Sequence, residues 1–164
     1  MEKTTLLTKQ LLDDSQQCAH LSGLIFESGN YFGWNHETAT ITLDPNDANA
    51  SAYTLHEYGH AALKHSDYKK DIELLTMERD AWTFATDSAS RFALDIDPEL
   101  IEDSLDTYRN WLHSRSLCPK CGATGIQIDA RQYDCIACHT KWTVNEARTC
   151  ALRRYETKSK NSAN

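Results

Sequence analysis

The segment His56-Glu57-Tyr58-Gly59-His60 has the pattern H-E-x-x-H, which restricts the possible folds of this chain more than any other feature. On a helix, residues i and i+4 lie one turn apart on the same face, so His56 and His60 can offer two imidazole nitrogens to one metal ion. Glu57 is rotated by about 100° from His56. That rotation directs Glu57 toward a water molecule rather than the metal, an arrangement typical of zinc hydrolases.

Two histidines at this spacing also occur on helix surfaces without a function. Apolar residues flank the motif, however, with Thr54-Leu55 before it and Ala61-Ala62-Leu63 after it. Gly59 inside a helix costs about 1 kcal/mol relative to Ala. These two features favour a functional motif, and the sequence predicts that Gly59 has a packing role.

A catalytic zinc site needs a third protein ligand. The downstream candidates are His65, Asp67, Glu73, Glu78 and Asp80. On a helix over residues 71–92, Glu78 lies in the middle of the apolar face and Asp80 in the middle of the polar face. A buried carboxylate is costly unless it is paired or bound to a metal, so zinc accounts for Glu78, with an Arg or Lys partner as the alternative. His65 is expected at the helix end or as a group supporting a ligand.

The segment Ala52–His65 resembles the active-site helix of the ImmA/IrrE family of metallopeptidases, whose usual form is close to T-L-A-H-E-L-G-H. Residues 78–85 are similar to the second motif of that family, E-x-E-A-x-x-F-A, and residues 39–43 resemble the strand before the active-site helix. The resemblance covers about residues 20–95. This chain lacks the residue between Leu55 and His56, the L-L-M-P segment that often follows the second motif, and an apparent helix-turn-helix domain.

The resemblance implies a zincin-like fold with zinc bound by His56, His60 and Glu78 and with Glu57 as the general base. It also implies a protein substrate such as a repressor or an antitoxin. The residue that would stabilise the oxyanion stays open among Tyr31, Tyr53, His65 and Tyr68.

A second metal-binding pattern is C-x2-C, thirteen residues, C-x2-C, formed by Cys118, Cys121, Cys135 and Cys138. Four thiolates suit a closed, structural zinc site, and the residues between the pairs can form a hairpin. The sequence therefore predicts a zinc ribbon, and with the first site it predicts two Zn²⁺ ions per chain. A c-type haem matches Cys135 to His139 but needs an exported chain, and residues 1–10 do not resemble a signal peptide. A redox C-x2-C is expected in a thioredoxin-like unit, which is not apparent.

Charge divides the chain unevenly. Residues 1–114 hold 8 Lys and Arg against 20 Asp and Glu, a net charge of -12, whereas residues 115–164 hold 9 against 4, a net charge of +5. The acidic part disfavours nucleic acid as a partner, while the basic part can bind a regulatory protein or nucleic acid.

No apolar run approaches the ~18 residues of a membrane span, and the cysteine usage suits a reducing cytosol. The expected location is therefore cytoplasmic, with no membrane partner.

The pattern of apolar and turn residues predicts five helices, over residues 5–21, 51–65, 71–92, 98–112 and 143–155. It also predicts three strands, over residues 24–27, 31–34 and 38–43. The expected fold class is α+β, a zincin-like helical domain with a small antiparallel sheet followed by a four-cysteine zinc ribbon. The expected domains are residues 1–114, the metallopeptidase domain; 115–156, the ribbon with a terminal helix; and 157–164, a disordered tail.

These features favour a cytoplasmic zinc metalloendopeptidase that hydrolyses a protein substrate. One alternative is a SprT-like, DNA-associated protease, which also joins H-E-x-x-H to a zinc ribbon but is expected to use a third His. Another is a non-catalytic zinc-binding adaptor, against which the intact Glu57 argues.

Overall fold

The computed structural model describes residues 2–145 and 151–157, and the described chain is α+β, as the sequence predicts. The α-helices are α1 (Glu2–Ser15), α2 (Ala50–Ala62), α3 (Asp71–Ala89) and α4 (Pro98–Ser116). The strands are β1 (Ile25–Ser28), β2 (Gly33–Asn35), β3 (Thr40–Leu43), β4 (Ile126–Asp129), β5 (Gln132–Asp134), β6 (Lys141–Val144) and β7 (Arg154–Glu156). Short 3-10 helices at Ala19–Leu21 and Ser90–Phe92 follow α1 and α3.

Two compact units divide the chain. The first, here called the histidine unit, comprises Met1–Asp67 and Thr76–Glu102. The second, here called the cysteine unit, comprises Tyr68–Leu75 and Asp103–Asn164. The expected boundary near residue 115 falls at the end of α4 and stays a prediction, and the expected tail lies almost wholly outside the described residues.

The sheet of the histidine unit is mixed, so the expectation of an antiparallel sheet is wrong. Its strand order is β1-β3-β2, in which β1 runs parallel and β2 antiparallel to β3. Burial explains the central position of β3: Thr40, Ile41 and Leu43 are buried, whereas most residues of β1 are exposed. A strand that is buried on both faces gains most from having a neighbour on each side.

Helix α2 is the most enclosed element of the histidine unit, because every residue from Thr54 to Ala61 is buried. The Tyr58 hydroxyl donates a 2.8 Å hydrogen bond to Asp14 of α1, and Asp14 also pairs with Arg91. Through Asp14, these contacts link α2, α1 and the 3-10 helix that follows α3. The helix that carries the H-E-x-x-H pattern is thus buried along the whole motif.

The predicted faces of α3 agree with its burial pattern. Leu74, Glu78, Ala81 and Ala85 are buried, while polar residues such as Thr83 and Asp87 are exposed. The helix runs from Asp71 to Ala89 and is followed by a 3-10 turn that ends at Phe92. The helical period therefore places Glu78 among apolar neighbours, as expected.

The cysteine unit contains an antiparallel sheet of four strands in the order β4-β5-β6-β7. The helix expected over residues 143–155 is wrong, because its described residues include the end of β6 and β7; residues 146–150 lie outside the description. Trp142 and Val144 alternate on the buried face of β6 and join the core of this unit. This two-residue period is the strand signal that the helical interpretation missed.

Within the described ranges, no helix has both the length and the apolar character needed to cross a membrane.

Candidate metal centres

Gly59 sets the close approach of α2 and α3 at the first candidate site. A Cβ atom added at Gly59 would lie 2.8 Å from the backbone oxygen of Ala81 and 3.2 Å from the ring of Phe84. The packing role expected for this glycine is therefore confirmed. Without a side chain at Gly59, His60 on α2 can lie beside Glu78 on α3.

His56, His60 and Glu78 converge, with one potential ligand atom from each lying within 4.8 Å of the others. The Nε2 atoms of His56 and His60 are 3.1 Å apart, and Glu78 Oε2 lies 3.2 Å from the first and 3.6 Å from the second. Zinc–ligand bonds of 2.0–2.1 Å in tetrahedral geometry place neighbouring ligand atoms about 3.3 Å apart. The spacing of the three atoms is therefore compatible with binding of one metal ion.

Burial and proximity shift the pKa values of all three groups. Burial would raise the pKa of Glu78, but hydrogen bonds from His56 and His60 outweigh it and lower that pKa to about 2. Burial lowers the pKa of His56, whereas for His60 the hydrogen bond and charge of Glu78 outweigh burial and raise the pKa. Glu78 is therefore ionised at neutral pH, which is the state in which a carboxylate binds a cation.

Glu57 follows His56 on α2 and is 9% exposed. Its negative charge contributes to the raised pKa of His60, so the carboxylate lies within electrostatic reach of the ligand group. The position agrees with that expected for a base beside the metal rather than a ligand, because Glu57 is not part of the converging group. The role of the residue stays a prediction.

Two aromatic side chains, Trp82 and Tyr53, lie near His56. The ring of Trp82 is 4.3 Å from the His56 ring between centroids, and Tyr53 lies 5.8 Å from Trp82. Of the oxyanion candidates within the histidine unit, Tyr53 thus belongs to the ligand neighbourhood, whereas Tyr31 is 60% exposed. Sequence reasoning missed Trp82 as a neighbour, although its place on the apolar face of α3 beside Glu78 is a usable signal.

The other candidates for the third ligand do not join this group. His65 lies behind His60, with its Nδ1 atom 2.9 Å from His60 Nδ1 and therefore on the side of the ring opposite the converging atoms. Asp80 pairs with Arg79 at 2.9 Å and is 44% exposed in its side chain. Glu73 instead accepts backbone hydrogen bonds from Lys69 and Lys70 at the start of α3.

The four predicted cysteines form the second group, with their sulfur atoms within 4.8 Å of one another. Cys118 and Cys138 are 3.6 Å apart, and Cys121 and Cys135 are 3.5 Å apart. Four zinc–sulfur bonds of about 2.3 Å in tetrahedral geometry separate the sulfurs by ~3.8 Å. The distances are too long for disulfides and fit a four-thiolate metal site.

Two similar turns position these cysteines. Gly122 donates its backbone N–H to Cys118 O at 2.9 Å, and His139 donates to Cys135 O at 2.8 Å. Both residues have positive φ values, 75° and 58°. The first turn uses Gly in this left-handed conformation, as expected, while the second uses His, which is more strained there.

The thiols differ in their surroundings. Hydrogen bonds from the side chain and backbone of Thr140 lower the pKa of Cys138 to about 6. The backbone of Ala123 lowers the pKa of Cys121, but the neighbouring thiols Cys138 and Cys135 raise it to about 12. Thiols that crowd one another in this way become compatible as thiolates when a cation is bound among them.

A buried polar cluster in the cysteine unit was missed by the sequence analysis. The guanidinium of Arg115, which is 1% exposed, donates to Tyr133 Oη at 3.3 Å and lies 3.5 Å from Asp71 Oδ1. Tyr133 also donates to Asp71, and burial together with Asp71 raises its pKa. Asp71 lies on the same face of α3 as Glu78, so the helical period could have indicated that it is buried.

Comparisons with models of protein families, with curated proteins and with solved structures gave no match. The resemblance to the ImmA/IrrE family stays a prediction that depends on the quoted motifs.

Proposed function

We propose that this protein is a zinc-dependent metalloendopeptidase whose active site is formed by His56, Glu57, His60 and Glu78. The observation that carries the proposal is the convergence of two His Nε2 atoms and one carboxylate oxygen at separations of 3.1–3.6 Å. Two imidazoles, one carboxylate and a remaining position are the donor set of a catalytic rather than a structural zinc site. The proposal includes a zincin-like fold related to the ImmA/IrrE family.

His56, His60 and Glu78 would hold the zinc, which when bound would supply Lewis acidity for a peptide carbonyl and would lower the pKa of water toward about 7. Glu57 acts as the general base: it takes a proton from the attacking water and delivers it to the amine that leaves. Its place beside His56 but outside the ligand group supports this division of roles. Glu78 supplies the negative charge that offsets the cation.

The cysteine unit, in this proposal, holds a structural zinc and recognises a partner. Its four thiols occupy all four positions of a tetrahedral ion, so the ion would have no free position for a substrate. Residues 115–164 carry a net charge of +5, which favours an acidic partner such as a protein surface or nucleic acid. The resemblance implies a repressor or an antitoxin as the protein substrate.

The test compares Glu57→Gln with the wild type in zinc content and in cleavage of an unfolded protein such as casein. We expect two zinc ions per chain in both proteins, and a loss of activity of at least about 10²–10⁴-fold in the variant. Glu37→Gln, which changes an exposed carboxylate of the same unit, is the matched control and should stay active.

Full activity in Glu57→Gln would refute the assignment of the base. A wild type that binds two zinc ions but cleaves none of a panel of unfolded proteins would instead favour a non-catalytic adaptor. One zinc ion per chain, lost only when a cysteine is changed, would remove the proposed active site.

A further inference from the structure

The two ligand histidines differ in what surrounds their second ring nitrogen. His56 Nδ1 is buried and has no hydrogen-bond partner among the described residues; its ring is held by the face of Trp82. His60 Nδ1, in contrast, lies 2.9 Å from His65 Nδ1. One ligand is therefore held by packing and the other by a hydrogen bond.

The end of α2 places His65 behind His60. After the last helical residues, Lys64 adopts a left-handed conformation with φ of 60°. Lys64 N–H bonds to Ala61 O at 3.1 Å, and His65 N–H bonds to His60 O at 2.9 Å. These are the two hydrogen bonds of a Schellman motif, which folds the chain back over the last turn of a helix.

A hydrogen bond from β2 also holds the backbone of His65. The indole N–H of Trp34 on β2 donates a 2.9 Å hydrogen bond to the backbone oxygen of His65. The backbone of His65 is thus held at both its N–H and its C=O. This backbone position brings the ring of His65 beside that of His60, and the two ring centroids are 4.9 Å apart.

We propose that His65 is a positioning residue that accepts a hydrogen bond from His60 Nδ1 and thereby keeps His60 Nε2 free to bind the metal. A neutral imidazole carries one proton. If that proton lies on His60 Nδ1, Nε2 carries a lone pair that can bind a cation shared with His56 and Glu78, in place of the hydrogen bond that His60 donates to Glu78. If His65 were the donor, the proton of His60 would lie on Nε2 and would block the metal. The inference rests on the proposed metal site.

The test measures zinc affinity at the histidine unit while the cysteines stay loaded, by competition with a chromophoric chelator. His65→Leu removes the acceptor, and we expect a 10–100-fold loss of affinity, as is typical when such supporting partners are removed. His65→Asn places an amide oxygen near the position of Nδ1, and it should restore affinity to within about threefold. His36→Leu, at an exposed histidine of the same unit, should leave affinity unchanged.

Equal losses in His65→Leu and His65→Asn would overturn the inference, because the ring would then matter only for packing. Unchanged affinity in His65→Leu would overturn it as well. His56→Ala separates this failure from failure of the proposed function: it must lose the zinc if the metal site exists, whatever His65 does.

A measurement on the wild type does not depend on whether the variants fold. Nitrogen-15 NMR of the zinc-loaded protein should find the proton of His60 on Nδ1 and that of His65 on Nε2. The opposite arrangement, with the proton on His65 Nδ1, would overturn the proposal. Cobalt(II) absorption of the His65→Leu variant should change only in the bands of the nitrogen and oxygen site, since thiolate ligands give distinct bands.

Discussion

The His56–His60–Glu78 group lies on two long helices, whereas the four cysteines lie on two turns, one between α4 and β4 and the other between β5 and β6. In the histidine unit, α2 is buried along most of its length by apolar residues that have no part in the metal site. In the cysteine unit, the core cluster is made of Tyr133, Trp142 and Val144 together with two of the cysteines themselves. In the histidine unit, residues other than the candidate ligands bury α2, whereas in the cysteine unit two of the four cysteines are themselves part of the core.

This difference indicates how each ion relates to folding. Helices that pack through a large core keep their ligands together before a metal arrives, so the free energy of binding is available to affinity and chemistry. A small core cannot offset the loss of chain entropy, so we expect metal binding to supply part of the folding free energy of the cysteine unit.

The largest expected effect separates the two units. Cys135→Ser should unfold the strands of the cysteine unit, because structural zinc contributes about 10–16 kcal/mol in zinc-finger peptides. His56→Ala should lose the zinc of the histidine unit yet keep its helices. Hydrogen exchange measured by mass spectrometry follows each unit separately. Protected β5 and β6 amides in Cys135→Ser would show that the core of this unit is sufficient without the ion.

The next effect concerns ligands within the histidine unit. Glu78→Ala removes the proposed third ligand and should lower zinc affinity by more than the 10–100-fold that supporting partners contribute. Asp80→Ala changes a partly exposed carboxylate that pairs with Arg79, and it should change affinity less than about threefold, since surface pairs contribute about 0–1 kcal/mol. Chelator competition measures both. Metal loss in Asp80→Ala, with Glu78→Ala intact, would show that the two carboxylates have been assigned the wrong way round.

A smaller effect tests whether the helices position the ligands. Gly59→Ala should lower the free energy of unfolding by up to about 2 kcal/mol, because overpacking against the Ala81 backbone costs about 1–3 kcal/mol and the gain in helix propensity offsets only about 1 kcal/mol of it. It should weaken zinc binding too. Gly23→Ala is the control, since a Cβ there meets nothing within 4 Å. Thermal denaturation of the zinc-loaded protein measures the stability of both variants, and a higher stability of Gly59→Ala would contradict the close approach of the two helices.

Local signals were sufficient to predict which residues converge in the two groups. The five-residue spacing of H-E-x-x-H, the period of α3 and the paired cysteines each depend on residues close in sequence. Glu78 could therefore be chosen over Asp80 from the helical period alone. The geometry that brings Glu78 to His56 depends on the close helix approach at Gly59. From the sequence, only an unspecified packing role could be expected for this glycine.

Pairing between distant segments could not be predicted. The parallel pairing of β1 with β3 depends on which strand is most buried, and a run of three or four residues carries little information about direction. Trp142 and Val144 lie on β6, which pairs with β5 and with β7. The expected helix over residues 143–155 left out these pairings between separate segments. Likewise, the contact between His65 and His60 needs the left-handed turn at Lys64. A lysine in the sequence does not predict such a turn, because this conformation favours glycine.

The smallest expected effect compares left-handed turns in the two units. The cysteine unit has Gly at one such position, Gly122, whereas the histidine unit has Lys64 with φ of 60°. A non-glycine residue in this conformation costs about 1–2 kcal/mol, while glycine adds chain entropy of about 0.5–1 kcal/mol to the unfolded state. Lys64→Gly should therefore raise the free energy of unfolding of the histidine unit by about 0.5–1 kcal/mol in urea denaturation. Lys64→Ala keeps the strain and removes the same side chain, so it should give no gain; an equal gain in both variants would attribute the effect to the lysine side chain rather than to the turn.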